Sequence, residues 1–250
     1  KNFIMTNKMY FIANWKMYGD VKSLKTLSKV IRFSKLKINN NFKLIYCPPY
    51  TLLNLFSNML KKTNIEIGAQ NCHESENYGS YTGSINARML KDIGVKYIIL
   101  GHSENRKSGE DNFVINKKIK TSIKMRLKII FCIGETLQEK KKKITKKVLN
   151  MQISEGLKNI KNLQNILFAY EPIWSIGTGK IPKNDELERN VIFIKSILNK
   201  RFKMKKPRVL YGGSVSQKNI TDLKKINVID GFLVGGASQN ANKFIDIVKK

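Results

Sequence analysis

Acidic residues are scarce in this chain: 18 Asp and Glu stand against 47 Lys and Arg, which leaves a formal net charge of +29. A surplus of this size is typical of proteins that bind nucleic acid or an anionic membrane. Here the basic residues are spread along the whole chain, are mostly Lys and accompany abundant Asn and Ile, as a composition bias would produce. We therefore expect no dedicated nucleic-acid or membrane partner, although such a field attracts a phosphorylated substrate.

The densest basic run covers residues 140–143 together with Lys146 and Lys147. The sequence around it predicts a helix, and we interpret the run as a solvated helix face. This interpretation leaves the excess positive charge without an assigned partner.

Cysteine is also scarce, with Cys47, Cys72 and Cys132 as its three occurrences. Their odd number and lack of pattern exclude a disulfide framework and a cysteine-based metal site, and free thiols indicate a reducing compartment. The segment 72–76 (CHESE) resembles a metal-binding sequence, but it lacks paired ligand spacing and is interpreted as a loop. No metal site is predicted.

Long apolar runs and linkers are missing as well. No stretch approaches the length of a membrane span, and no segment rich in Pro, Gly or Ser divides the sequence. The length suits one α/β barrel, so residues 1–250 are predicted to form a single domain. We expect a cytoplasmic protein, or a stromal protein of a plastid-like organelle if a targeting segment was removed before Lys1.

Short apolar runs recur along the chain, and each is followed by a longer stretch with helical spacing of apolar residues, as in 24–31 and 191–198. Eight such alternations favour a (β/α)8 barrel over an open doubly wound sheet. The predicted strands are 9–13, 43–46, 66–69, 97–100, 128–131, 167–170, 208–211 and 231–234.

A barrel of this class carries its active site at the carboxyl ends of its strands. Polar residues and glycines follow six of the predicted strands at those ends. They are Asn14 and Lys16, Gln70 and Asn71, His102 and Glu104, Glu171, Gly212 to Ser214, and Gly235 with Gly236.

The stretch 170–180 is the centre of this predicted site. Glu171 follows an apolar run typical of a fully buried strand, so its carboxylate emerges where that strand ends. Pro172 then turns the chain out of the sheet, and the glycines that follow allow a tight loop. A solvated Glu before an ordinary surface loop is the alternative, but Trp174 and Ile176 indicate a loop that docks on the protein. We interpret the stretch as a base behind a lid.

Three further features complete the predicted chemistry. The glycines after the last two strands are typical of phosphate binding through backbone N–H groups, although each pair alone could be an ordinary turn. His102 precedes a predicted helix start, whose dipole favours a neutral imidazole, and Lys16 supplies a fixed cation. A packing histidine and a surface lysine are the alternatives. Together with Glu171, these features predict proton abstraction beside a carbonyl in a small phosphorylated substrate, with no metal or organic cofactor.

With these residues in place, the chain resembles the triosephosphate isomerase family from one end to the other. The matching motifs are ANWKM at 13–17, GAQN at 68–71, YTG at 81–83, LGHSE at 100–104, CIGET at 132–136, YEPIW at 170–174, YGGSV at 211–215 and LVGGA at 233–237.

The resemblance implies a role for each residue. Glu171 removes a proton from dihydroxyacetone phosphate to give an enediolate, neutral His102 moves protons between the two oxygens, and glyceraldehyde 3-phosphate is the product. Lys16 stabilises negative charge, Asn14 shapes that part of the site, and Glu104 holds Lys16. Ile176 and Leu233 close over the base and exclude water. The phosphate is held by backbone groups of Gly177, Ser214, Gly235 and Gly236.

The resemblance also implies a homodimer, formed through the loop that contains Thr82. In this chain residues 71–82 form a slightly longer loop that carries Glu74 and Glu76, so we expect a weaker association than is usual. Two further departures lie elsewhere: Asn105 replaces the first Arg of a pair, and Pro182 replaces a small residue at the rear of the lid. Proline is expected to restrict the open lid.

Two alternatives remain. One is a phosphate-binding barrel with different chemistry, and the other is a basic barrel that has lost catalysis and binds nucleic acid or an anionic surface. The joint presence of Lys16, His102 and Glu171 argues against both.

Overall fold

Eight parallel strands, paired in sequence order and closed between the first and the last, form a barrel in this computed structural model, which describes residues 8–36 and 41–250. The predicted (β/α)8 class is therefore confirmed. The strands are β1 (Met9–Asn14), β2 (Phe42–Cys47), β3 (Glu66–Ala69), β4 (Tyr97–Leu100), β5 (Lys128–Ile133), β6 (Ile166–Tyr170), β7 (Val209–Tyr211) and β8 (Gly231–Val234).

The predicted bounds of β3, β4 and β8 are confirmed, and those of the other strands differ by one or two residues. β1 continues to Asn14 because this residue pairs with Cys47 at the end of β2. β5 continues to Ile133 because Ile133 pairs with Tyr170. Pairing with a neighbouring strand, which a single run of sequence does not reveal, sets these ends.

Helices cover the outside of the barrel within the described residues. They are α1 (Leu24–Ser34), α2 (Tyr50–Leu60), α3 (Ala87–Asp92), α4 (Ser103–Lys107), α5 (Asn112–Lys124), α6 (Leu137–Lys141), α7 (Thr145–Gly156), α8 (Asn184–Lys200), α9 (Ile220–Lys224) and α10 (Ala241–Lys249). Side-chain oxygens of Asn86, Asp111, Thr136 and Asn240 cap four of the helix starts. No described helix has the length and apolar character of a membrane span.

The prediction that the basic run at 140–147 lies in one helix is wrong, whereas its solvation is confirmed, since five of its six lysines are exposed. α6 ends at Lys141 and α7 begins at Thr145, with Lys143 in the left-handed region at φ 59° between them. Lys140 lies 3.7 Å above the ring of Trp174 and 2.7 Å from Glu186. One lysine of the run therefore packs against the predicted lid.

Two layers of buried side chains hold the barrel together. One fills its interior, and the other packs between the strands and the surrounding helices. In the interior, Tyr10 and Tyr97 lie near the amino ends of the strands, whereas Cys47, Cys132 and Ala169 lie nearer the carboxyl ends. The smaller side chains leave room at the carboxyl ends, where the predicted site residues are found.

Candidate active site

A cavity of about 980 Å³ opens at the carboxyl ends of the strands. All nine predicted site residues line it, from the carboxyl ends of five strands and the segments that follow them: Asn14, Lys16, His102, Glu104, Glu171, Gly177, Ser214, Gly235 and Gly236. Ile176 and Leu233 line the same cavity. The fold thus brings together residues that are up to 222 positions apart, as the difference between 236 and 14 shows.

The carboxylate of Glu171 is almost completely buried, with 2% of the residue exposed. Burial raises the pKa of this carboxyl, while His102, a hydrogen bond from the Cys132 thiol and Lys16 act in the opposite direction. Gly212 makes the space for it, because a Cβ at this position would lie 2.7 Å from Cγ of Glu171. A carboxylate with little hydration and a raised pKa is suited to accept a proton at neutral pH.

His102 faces Glu171 across the cavity, with Nε2 at 3.4 Å from Oε1. Its Nδ1 accepts a hydrogen bond from the backbone N–H of Glu104 at 3.2 Å, which caps α4. An acceptor nitrogen carries no proton, so the proton of the neutral ring is on Nε2, directed into the cavity. The helix start therefore fixes both the position and the tautomer of the imidazole.

Lys16 has a left-handed backbone with φ 55°. Its N–H donates to Asn14 Oδ1 at 3.2 Å, and its carbonyl accepts from Gln70 Nε2 at 2.9 Å. Gln70 also donates to the carbonyl of Cys47, so it connects three strand ends. The Lys16 ammonium lies 2.5 Å from Glu104 Oε1, as the family resemblance implied. The sequence analysis names Gln70 only as a polar residue after β3, and the structure adds its hydrogen bond to the Lys16 backbone.

The front of the predicted lid docks on the barrel through Trp174. Its indole N–H donates to Glu135 Oε1 at 2.8 Å, and the other oxygen of Glu135 accepts from the Tyr170 hydroxyl at 3.0 Å. Burial raises the pKa of the Glu135 carboxyl, and these hydrogen bonds oppose that rise. Lys140 covers the outer face of the indole. The expectation that Trp174 marks a docking loop is confirmed by these contacts.

The two ends of the lid meet at the buried hydroxyl of Ser175. This hydroxyl donates to the carbonyl of Lys180 at 2.6 Å, lies 2.9 Å from the Tyr211 hydroxyl and accepts from the N–H of Ser214 at 3.2 Å. One donor and two acceptor positions are all that a serine hydroxyl offers, and all three are used. No sequence signal marks this role, because a serine inside a loop is ordinary. Pro182, two residues after Lys180, is buried, and its effect on the lid stays a prediction.

The glycines after β8 border open space. A Cβ at Gly236 would meet nothing within 4 Å, and one at Gly235 would meet only Cε of Lys16 at 3.7 Å. Packing of the protein itself therefore does not require glycine at either position. Close approach of a ligand to the backbone N–H groups does require it, and phosphate is the ligand that this arrangement typically binds.

The remaining sequence features lie outside the cavity. In the segment 72–76, His73 lies 3.7 Å from Glu74, while Glu76 pairs with Lys124 at 2.5 Å. No group of three metal-binding side chains is found in the part of the chain that the structure describes. Arg106 donates to the carbonyls of Gly101 and Cys132 and so connects β4 to β5 behind the site.

Comparisons with known proteins agree with this geometry. A family model described as triosephosphate isomerase matches residues 9–250. The triosephosphate isomerase of Carboxydothermus hydrogenoformans is 42% identical over 249 residues, covering 97% of this chain and 98% of that protein. That of Alkaliphilus oremlandii is 39% identical, with 96% and 98% covered. The crystal structure of the Bartonella henselae triosephosphate isomerase superimposes with a TM-score of 0.88 at 34% identity, covering 97% of this chain and 98% of that one.

Removal of the Ser175 hydroxyl should loosen the lid. In Ser175→Ala the buried Tyr211 hydroxyl and the Ser214 N–H lose a partner, which costs about 1–3 kcal/mol of folding free energy. We expect denaturant unfolding to show this loss and trypsin to cut faster after Lys180. The control Ser28→Ala makes the same change at an exposed position of α1, and it should change neither the unfolding free energy nor the rate of cleavage after Lys180. Parent-like stability and parent-like cleavage after Lys180 in Ser175→Ala would refute the role.

Burial of Glu171 should make the protein less stable as pH rises. Because its pKa is raised in the folded state, the folded chain holds this proton more tightly than the unfolded chain, whose Glu pKa is about 4.3. This contribution to stability is therefore full below the unfolded pKa of about 4.3, decreases as pH rises toward the folded pKa, and is absent above the folded pKa. We expect Glu171→Gln to unfold at a higher temperature than the parent at pH 8, with the gap closing below about pH 4. Glu188→Gln, at an exposed site on α8, is the control; a parent more stable than Glu171→Gln at pH 8 would contradict the assignment.

Proposed function

The chain belongs to the triosephosphate isomerase family and interconverts dihydroxyacetone phosphate and D-glyceraldehyde 3-phosphate, and we propose that Glu171 and His102 carry the proton transfers through an enediolate. The observation that carries this proposal is the buried pair itself, with Nε2 of His102 at 3.4 Å from Oε1 of Glu171 in a cavity open to a small substrate. The remaining residues assist these two groups.

The reaction starts when the carboxylate of Glu171 removes a proton from the CH2OH carbon of dihydroxyacetone phosphate. The electrons of that C–H bond form the carbon–carbon double bond of the enediolate, and negative charge moves to the carbonyl oxygen. His102 donates the Nε2 proton to that oxygen and takes a proton from the neighbouring hydroxyl. Glu171 then returns its proton to the second carbon, which gives the aldehyde. A neutral imidazole suits this role better than an imidazolium, because the acidity of the neutral ring is closer to that of the enediol oxygens.

Charge that develops on the two oxygens is stabilised by the ammonium of Lys16. Its left-handed backbone, the Asn14 and Gln70 contacts and the pair with Glu104 support this role, because they hold the cation before the substrate arrives. A preorganised charge needs no rearrangement during the reaction, and interactions of this kind are usually the largest contribution to catalysis.

The phosphate group is held by backbone N–H groups of Gly177, Ser214, Gly235 and Gly236. The open space at the last two glycines supports this assignment. Ile176 and Leu233 close over Glu171 when the lid moves inward, which removes water from the carboxylate and raises its basicity further. Exclusion of water also protects the enediolate, which could otherwise expel its phosphate.

A coupled assay of isomerisation at moderate salt tests the role of Glu171. Glu171→Gln should lose about 10²–10⁴-fold in turnover, because an amide cannot accept a proton from carbon. Calorimetric binding of inorganic phosphate should persist, which separates lost chemistry from a lost site. Glu188→Gln should keep full activity. Substantial turnover in Glu171→Gln would remove this residue from the role of base.

We further propose that the active form is a homodimer that contacts through the loop 71–82. Exposed apolar residues support it: Met17, next to Lys16, is 94% exposed and Tyr81, in this loop, is 51% exposed, so both are available for a contact with a second copy of the chain. Glu76 pairs with Lys124 of its own chain, so only part of the added negative charge is left to oppose association.

Sedimentation velocity across a concentration series tests this proposal. We expect a dimer at micromolar protein that dissociates on dilution, with activity falling in parallel. Met17→Glu should dissociate it, because a carboxylate would then be buried in the contact. A strict monomer with full activity would rule the proposal out.

We also propose a reducing compartment, either the cytoplasm or the stroma of a plastid-like organelle. The three cysteines are unpaired and buried, which supports it. Fluorescence microscopy of the full-length tagged protein in its own cell would distinguish the cytoplasm from the stroma. Accumulation in an oxidising compartment would refute the proposal.

A further inference from the structure

A second cavity, of about 770 Å³, lies at the amino ends of the strands. It is on the opposite end of the barrel from the active site. Tyr10, Tyr97 and Leu167, all from the barrel interior, form its floor, and the segments that precede β6 and β7 form its walls. Its volume falls within the range of about 300–1,000 Å³ typical of small-molecule sites.

Cations dominate the lining of this amino-end cavity. Six lysines and Arg208 line it, and no Asp or Glu among the described residues does. Lys43 pairs with Glu66 at 3.0 Å just outside the lining, and the structure gives no ion pair within the described chain for Lys128 or Arg208. Burial and the neighbouring Lys43 and Lys96 lower the pKa of Lys128, opposed by Glu66. Positive charge here exceeds what the surrounding carboxylates neutralise.

The cations at the floor are held in place by aromatic rings. Lys128 Nζ lies 5.2 Å and Lys43 Nζ 5.9 Å from the centre of the Tyr97 ring. The guanidinium of Arg208 lies 5.1 Å from the ring centre of Tyr10 and also donates to its hydroxyl. Both tyrosines are buried, at 9% and 2% exposed. Cations ordered over an apolar floor lose little freedom when an anion binds them.

Composition alone predicts lysines spread over a convex, solvated surface. In this cavity the chain instead gathers them from four separate segments, represented by Lys43, Lys128, Lys161 and Lys206, around a concave wall. A concave wall of one charge sign above a low-dielectric floor concentrates the electrostatic field and raises the local concentration of anions. The bounded shape suits a small molecule, whereas a nucleic acid would require an extended groove or stripe.

We propose that the amino-end cavity binds a small polyphosphorylated anion, of the class that includes inorganic triphosphate and nucleoside triphosphates. Several cations on facing walls match several linked phosphate groups better than one phosphate. This site is separate from the active site, because no residue lines both cavities. Its occupancy is therefore independent of the proposed catalytic roles.

Isothermal titration with inorganic tripolyphosphate tests the site while a planar enediolate analogue fills the active site. The pocket variant Lys128→Gln/Lys206→Gln removes one cation from the floor and one from the rim. The control Lys25→Gln/Lys29→Gln removes the same charge from the exposed face of α1. Circular dichroism and the isomerase assay show that each variant is folded and active.

We expect one tripolyphosphate per chain, binding that weakens with added salt, and affinity at least about tenfold lower in the pocket variant, because two partly solvent-screened cations no longer contact the anion. The control should bind as the parent does, and both variants should keep parental turnover. Equal weakening in the two variants, or no binding by the parent, would overturn the proposal. Tighter binding of a single-stranded oligonucleotide that the pocket variant loses would also overturn it, in favour of a nucleic-acid surface.

Discussion

The burial of one carboxylate is the constraint on which the rest of this structure depends. Glu171 directly follows the last residue of β6 at the rim of a closed barrel, where water is excluded and the ionised form is disfavoured. The surrounding residues make this position tolerable: Gly212 leaves the volume, the Cys132 thiol donates a hydrogen bond, and His102 and Lys16 supply polar and positive neighbours. The same features that reduce the destabilising effect of the charge also make it a useful base, so stability and catalysis are set by one group of contacts.

The lid extends this arrangement from the barrel to the substrate. Trp174 is fixed to Glu135 at one end, and the Ser175 hydroxyl connects the rear of the lid to Tyr211 and Ser214. The exposed tip, from Gly177 to Lys180, lies between two anchored ends. Movement at the tip is therefore coupled to the Ser214 backbone, one of the groups proposed to hold phosphate.

The sequence was sufficient for the fold and for the residues that line the site, because both follow from local pattern. Apolar runs marked the strands, and a polar or glycine residue after each run marked the carboxyl end. Contacts between residues far apart in sequence cannot be predicted from local pattern. Gln70 contacts Lys16 from 54 positions away, and Ser175 contacts Tyr211 from 36 positions away. The turn that divides the basic run at 140–147 has another cause: Lys143 takes a left-handed backbone where the sequence has neither glycine nor proline to mark a helix end, and the packing of Lys140 on Trp174 is seen only in the folded chain. Likewise, composition indicated evenly spread lysines, while the fold gathers several of them around one cavity.

The left-handed backbone of Lys16 links catalysis to the order in which the structure is lost. For a residue with a side chain this conformation costs about 1–3 kcal/mol, so an unfolded chain rarely adopts it. Hydrogen bonds with Asn14 and Gln70, from two different strand ends, hold its backbone in place. Local opening of either strand end would release the strain and free the ammonium to turn away while most of the barrel stays intact. Under gradual heating the position of the cation would then be among the first features to be lost, and enzymatic activity would report on the integrity of the barrel rim before spectroscopic signals of the core change.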